Sequence, residues 1–288
     1  MSFPIKKVCV VGAGVMGSGI AQVCAQAGFE VSIRDLTDEL VKKALENIRF
    51  GPFGLEKAVS KGKITREQAD SAFSRIKGTT SLEEALKDAD LVIEAVFEDL
   101  EIKKKVFKEL DEKSQPETIL ASNTSTLSIT ALASATKKPE KVIGLHFSNP
   151  VPLMNIVEIV VGLKTSEETL NIAKEFTKKV GKEYVVCKDS PGFIGNRIWI
   201  PSLFIACKVL SEGIASKEDI DKAMRLMYNW PMGPFELLDL VGVDVAVMVG
   251  ESIYNELKDP IYVPPPILKQ MVRAGLLGRK TGKGFYQY

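Results

Sequence analysis

Histidine is almost missing from this chain: His146 is the one imidazole in 288 residues. Cysteine is scarce as well. Cys9, Cys24, Cys187 and Cys207 form no CxxC pair and have no histidine at metal-ligand spacing, so they read as buried thiols of a reducing compartment and no metal is expected. A charge excess is lacking too. Lys plus Arg is 38 against 37 for Asp plus Glu, a net charge of +1, which creates no field to gather nucleic acid or anionic lipid. Long apolar runs are absent, which argues against a membrane span. The nearest approach to a signal peptide is Lys6 and Lys7 followed by the mostly apolar run Val8 to Ala21. Glycines at 12, 14, 17 and 19 weaken the apolar helix a signal needs, and no small-residue cleavage site precedes a linker. A cytoplasmic location is the expectation. Internal repeats and low-complexity segments are also lacking.

What is present is an ordinary globular composition, 45% hydrophobic and 26% charged, long enough for two domains. Val8–Val11, Val31–Ile33, Leu91–Val96, Thr118–Ala121 and Val142–Leu145 read as short buried strands. Met16–Ala27 and about Glu101–Lys113 have helical spacing between them. Such alternation implies right-handed βαβ units and a doubly wound, mostly parallel, Rossmann-like α/β sheet. Met154–Val161 and Tyr184–Cys187 continue the strands. Residues 37–78 interrupt the rhythm and read as a hairpin of two helices around the turn Phe50-Gly-Pro-Phe-Gly54, with no strand. Beyond about residue 188 the pattern is helical throughout, over roughly Pro191–Glu212, Ser216–Tyr228, Pro234–Leu240 and Asp244–Lys258. Two domains are therefore expected: 1–188, α/β, and 189–288, all-α.

Gly12-Ala13-Gly14-Val15-Met16-Gly17 follows the first strand and opens a helix. The first glycine permits the tight turn, the second a close approach to pyrophosphate, and the third close packing of helix on sheet. Asp35, at the end of the second strand, suits the adenosine ribose hydroxyls and repels a 2′-phosphate, which favours NAD over NADP. Arg34 beside it opens some NADP use if its side chain swings toward the ribose. The bland alternative for Asp35 is an N-cap for the next helix.

His146 falls at the end of its strand, the edge where open α/β sheets bind ligands. Imidazole titrates near neutrality and suits proton exchange with an alcohol. Glu158 lies inside the apolar strand Ile156–Val160, where a charge is unfavourable unless paired, and His146 is the economical partner. The alternative is a structural histidine with Glu158 on an exposed edge. Ser122-Asn-Thr-Ser-Thr126 offers hydroxyls for a substrate oxygen or a helix cap, and Asn196 stands at the start of the first C-terminal helix.

Taken together, GAGVMGSGIAQ (12–22), IEAVFEDLEIKKKVF (93–107), ASNTSTLSI (121–129), GLHFSNPVPLMNIVEIV (144–160), DSPGFIGNRI (189–198), GPFELLDLVG (233–242) and GRKTGKGFYQY (278–288) resemble the L-3-hydroxyacyl-CoA dehydrogenases over essentially the whole chain, above all the bacterial members acting on 3-hydroxybutyryl-CoA. The resemblance implies NAD-dependent interconversion of L-(S)-3-hydroxyacyl-CoA and 3-ketoacyl-CoA. His146 would be the base, Glu158 its partner, and Ser125 and Asn196 the contacts to substrate oxygens. It also places Glu98 and Lys103 near the nicotinamide ribose, Asn149 near the nicotinamide and Lys280 near the bound cofactor. The helical hairpin would meet the CoA, with Lys57, Lys61 and Lys63 as candidates for its phosphates, and the helical domain would form a homodimer. Two rivals stand beside this. One is a hydroxy-acid dehydrogenase with a lysine base on the helical domain, against which the His146 and Glu158 pair argues. The other is a non-catalytic NAD-binding relative of the lens-crystallin kind.

Overall fold

A computed structural model describes residues 4–288. The chain divides into two compact units, Met1–Ser190 and Pro191–Tyr288. Among the described residues of the first, eight strands form one sheet in the order β3-β2-β1-β4-β5-β6-β7-β8. They are β1 (Lys7–Val11), β2 (Glu30–Arg34), β3 (Ile76–Thr79), β4 (Leu91–Glu94), β5 (Ile119–Ser122), β6 (Val142–Phe147), β7 (Ile156–Val161) and β8 (Glu183–Lys188). β1 to β6 are parallel; β7 pairs antiparallel with β6, and β8 runs parallel to β7. The order reverses between β1 and β4, the point where such sheets open a crevice for ligands. Val8, Val10, Ile33, Ile93 and Leu145 lie in the core, as expected of β-branched and aliphatic runs covered by helices.

The helices of this unit are α1 (Val15–Gln26), α2 (Asp38–Phe50), α3 (Leu55–Ser60), α4 (Arg66–Ser74), α5 (Leu82–Leu86), α6 (Leu100–Lys113), α7 (Ile129–Ala133) and α8 (Glu167–Lys179). Side chains that accept a backbone N–H fix several starts: Thr37 for α2, Asp99 for α6, Ser166 for α8, and a reciprocal Thr65–Gln68 box for α4.

Residues 37–78 differ from the expected pair of helices. Three helices stand there, and the segment runs on into an edge strand, β3. The strand is short, and only its first residue is strongly apolar. Gly78 sits where α2 presses on the sheet: a Cβ there would come within 2.4 Å of Val41 Cγ1. A strand that must be small to admit a helix carries little hydrophobic signal. The Phe50–Gly54 turn does separate two helices, with Gly51 and Gly54 both too close to the Asn47 carbonyl to tolerate a side chain. Arg49 joins the three helices by pairing with Glu56 at 2.7 Å and Asp70 at 2.6 Å.

The second unit contains α9 (Gly195–Ser211), α10 (Lys217–Tyr228), α11 (Pro234–Val241), α12 (Val243–Leu257) and α13 (Pro266–Arg273). Its core gathers Leu203, Phe204, Phe235, Leu238, Ala246, Ile253 and Leu268. Pro201 inside α9 cannot donate to the carbonyl of Arg197, and the Tyr262 hydroxyl takes that acceptor at 3.2 Å. The helix α13 goes beyond the four expected: Pro264-Pro-Pro266 reads as a breaker, yet Pro266 is well placed as the first helical residue. Buried Asp239 accepts from the amides of Phe285 and Tyr286, both at 2.8 Å, and so pins the C-terminal segment.

Candidate active site

The glycine loop leaves β1 at the point of strand reversal. Gly12 has φ +106°, and a Cβ on it would strike the Ala95 carbonyl at 2.5 Å. A Cβ on Gly17 would lie 1.7 Å from the Gly12 carbonyl oxygen. Gly14 is the opposite case, with no heavy atom within 4 Å of its missing Cβ. Two glycines are thus closed by the fold, and the middle one faces open space at the N-terminus of α1. No side chain caps that terminus and no acid lies in its first turn. Free amides and the positive end of the helix dipole there suit a pyrophosphate, so the residues fit a dinucleotide.

Asp35 sits just past β2. One carboxylate oxygen accepts from Ala13 N at 2.6 Å and the other from Leu36 N at 2.7 Å. The capping alternative fails, because Thr37 caps α2. Asp35 instead ties the end of β2 to the glycine loop. Arg34 turns its Nε to the Thr80 carbonyl at 3.2 Å.

His146 and Glu158 are directly opposed across the antiparallel β6–β7 ladder. Opposed residues project from the same face, and here Nδ1 and Oε2 are 2.6 Å apart. The side chains are 17% and 11% exposed, so the pair is shielded but not sealed. A carboxylate only accepts, which assigns the proton of a neutral ring to Nδ1 and the lone pair to Nε2. The edge-strand alternative for Glu158 is removed by β8, which covers the far side of β7.

A second cluster lies at the ends of β4 and β5. Lys103, 1% exposed, donates to Glu94 at 2.6 Å and to the Val96 carbonyl at 3.1 Å, and pairs with Glu98 at 3.3 Å. Glu98 Oε1 accepts from the Thr124 hydroxyl at 2.5 Å and from Ser125 N at 3.0 Å. Burial pushes the Glu98 carboxyl up, but the Lys103 charge and these hydrogen bonds outweigh it, and its pKa lies below the usual value. Ser125 is thereby held on Glu98, while Asn123 accepts from Phe147 N at 2.9 Å and joins this loop to the strand of His146.

The other expected residues are placed as follows. Asn149 is exposed in the β6–β7 connection. Buried Lys182 holds that connection by donating to the carbonyls of Val151 at 2.7 Å and Met154 at 2.6 Å; burial lowers its pKa. A cavity between α1, the 51–54 turn and residues 149–152 is lined by Val15, Gln22, Phe53 and Pro152. Lys57 and Lys61 are exposed in and just after α3, with Lys63 two residues on. Asn196 is the second residue of α9, and Lys280 pairs with Asp244 at 2.5 Å; both belong to the second unit. The sequence marks no role for Glu94 or Lys182, and it offers Ser122 and Asn123 only as members of the polar 122–126 cluster. Glu94 had a signal, since it is a charge in an apolar strand, the same ground that marked Glu158.

An open sheet with a glycine loop at its reversal point and a carboxylate closing the second strand is a dinucleotide-binding unit, here with an imidazole–carboxylate pair on the same sheet. The family model of the 3-hydroxyacyl-CoA dehydrogenase NAD binding domain matches residues 7–190, and that of the 3-hydroxyacyl-CoA dehydrogenase C-terminal domain matches 192–288. A 3-hydroxybutyryl-CoA dehydrogenase of Clostridioides difficile is 47% identical over 98% of this chain and 99% of its own length. One from Mycobacterium tuberculosis is 45% identical, with 100% of both chains covered. The crystal structure of (S)-3-hydroxybutyryl-CoA dehydrogenase from Ralstonia eutropha matches with a TM-score of 0.93 at 44% identity, covering 99% of each chain. The chain belongs to the 3-hydroxyacyl-CoA dehydrogenase family, the NAD-dependent oxidoreductases whose two domains it carries in order.

Proposed function

We propose that this enzyme interconverts L-(S)-3-hydroxybutyryl-CoA and acetoacetyl-CoA, with His146 as the acid and base. The 2.6 Å contact between His146 and Glu158 carries the reading. In oxidation, the Nε2 lone pair takes the proton of the C3 hydroxyl, and Glu158 steadies the resulting imidazolium. In reduction, the imidazolium returns that proton to the forming alkoxide. Bound NAD supplies the hydride acceptor, and NADH the donor. Gly12 to Gly17 would hold the pyrophosphate and Asp35 the adenosine ribose. Glu98 and Lys103 would serve the nicotinamide ribose, Asn149 the nicotinamide, and Lys280 the cofactor from the second unit. Ser125 and Asn196 would meet the substrate oxygens. Exposed Lys57, Lys61 and Lys63 supply positive charge for the CoA phosphates, and the four-carbon acyl group follows from the names of the relatives at 45–47% identity.

A homodimer through the second unit is part of the same proposal, supported by Ile198, Ile205, Leu226 and Met227, which stand 53–77% exposed there. Four unpaired thiols support a reducing, cytoplasmic setting. Initial rates with acetoacetyl-CoA and longer 3-ketoacyl-CoAs, each with NADH and NADPH, test the chemistry. Acetoacetyl-CoA with NADH should give the highest kcat/KM. Turnover of hydroxy acids but of no 3-ketoacyl-CoA would overturn the assignment.

A further inference from the structure

We infer that Glu94 is a positioning residue for Ser125, acting through two hydrogen-bonded arms that converge on the 122–126 loop. The inference rests on the reading of Ser125 as a substrate contact.

Glu94 is the last residue of β4, between Val11 of β1 and Ser122 of β5, and its side chain is fully buried. Its neighbours Val92 and Ile93 are apolar and equally buried. A buried ion pair gains little over a well-packed apolar side chain, because desolvation offsets the Coulomb attraction. Stability alone is a weak reason for a carboxylate here, and its contacts point to placement instead.

Oε2 accepts the Ser122 hydroxyl proton at 2.7 Å, and Ser122 Oγ in turn accepts from Thr124 N at 3.2 Å. This short arm fixes the backbone one residue before Ser125. Oε1 accepts from Val96 N and from Lys103 Nζ, both at 2.6 Å. Lys103 lies closer to Glu94 than to Glu98, 2.6 Å against 3.3 Å, so Glu94 sets where the ammonium stands. Glu98 Oε2 follows the ammonium. Its other oxygen then faces the loop and accepts from Thr124 Oγ1, from Ser125 N and, at 3.4 Å, from Ser125 Oγ. Glu98 is 22% exposed and sits in the link between β4 and α6, so a shift of the ammonium can draw it off the loop. Both arms start on one carboxylate; the short one ends on Thr124 N, next to Ser125, and the long one on Ser125 itself.

The test is a double-mutant cycle in kcat for acetoacetyl-CoA reduction by NADH. Glu94→Gln keeps the shape and removes the charge, and Ser122→Ala cuts the short arm alone. Each should lower kcat about ten-fold in the parent enzyme, in keeping with the cost of a sub-ångström misplacement. In a Ser125→Ala background each should change kcat by less than about two-fold, because the residue they place is already gone. A purely structural role would give equal losses in both backgrounds. That result, or an unchanged kcat in both variants, would overturn the inference. Should Glu94→Gln fail to fold, Ser122→Ala decides alone. A silent Ser125→Ala would overturn the reading of Ser125 itself, and the inference with it, whereas equal losses beside a damaging Ser125→Ala overturn the inference only.

Discussion

At the scale of single residues, the proposal divides one task between His146 and Glu158. In the proposed mechanism the imidazole exchanges a proton, and the carboxylate 2.6 Å away fixes its tautomer and steadies its charged form. Removing the ring leaves no base, and neutralising the carboxylate leaves one that is misoriented. We expect His146→Ala and Glu158→Gln each to lower kcat by roughly 10²–10⁴. The double variant should be little worse than His146→Ala, since residues that act as a unit lose far less than the product of their single losses. NADH binding, followed by fluorescence, should persist, because the glycine loop and Asp35 belong to other strands. Fully multiplicative losses would show two independent residues, and a near-normal Glu158→Gln would reduce Glu158 to a structural carboxylate.

At the scale of elements, the end of β2 and the loop after β1 work as one clasp. Asp35 was expected to serve the ribose and to exclude a 2′-phosphate; it also takes the Ala13 amide at 2.6 Å. Asp35→Ala should therefore weaken NADH binding by two routes, a lost ribose contact and a loosened loop, while relaxing the rejection of NADPH. The KM for NADH should rise by about ten-fold, the equivalent of roughly 1.4 kcal/mol, and the NADH/NADPH ratio of kcat/KM should fall. Unchanged NADH affinity with continued rejection of NADPH would count against the assignment. Elements were legible in the sequence where one local rule sufficed. The glycine loop, the apolar runs of β1, β4 and β6, and the charge stranded in β7 each carry such a rule. β3 was not legible, because Gly78 makes way for Val41 of α2, a contact 37 positions away in the chain. Lys182 was equally silent: its partners are two backbone carbonyls, which leave no pattern in side-chain identity. The antiparallel turn of β7 needs the ladder itself, although the pairing of Glu158 with His146 was read correctly without it.

At the scale of the molecule, the apolar content of the second unit goes two ways. The apolar segments Leu203–Leu210 and Val241–Val249 largely fill its own core, with Leu203, Phe204, Cys207 and Val249 buried. What remains outside is a narrower set, including Ile205 at 53% and Ile198 at 65% exposed. Light scattering should give twice the 31.6 kDa chain mass at micromolar concentration, and Ile205→Glu should shift the population toward the single chain. A monomer in the parent protein would remove the dimer from the proposal. The scarcity of histidine has its own consequence at this scale. A ring N–H shared with a carboxylate at 2.6 Å resonates far downfield in a proton spectrum, and 288 residues contain one ring that can produce it. That signal has a single owner before any assignment is made, so its position and its change on adding acyl-CoA report the state of this one proton in the intact protein.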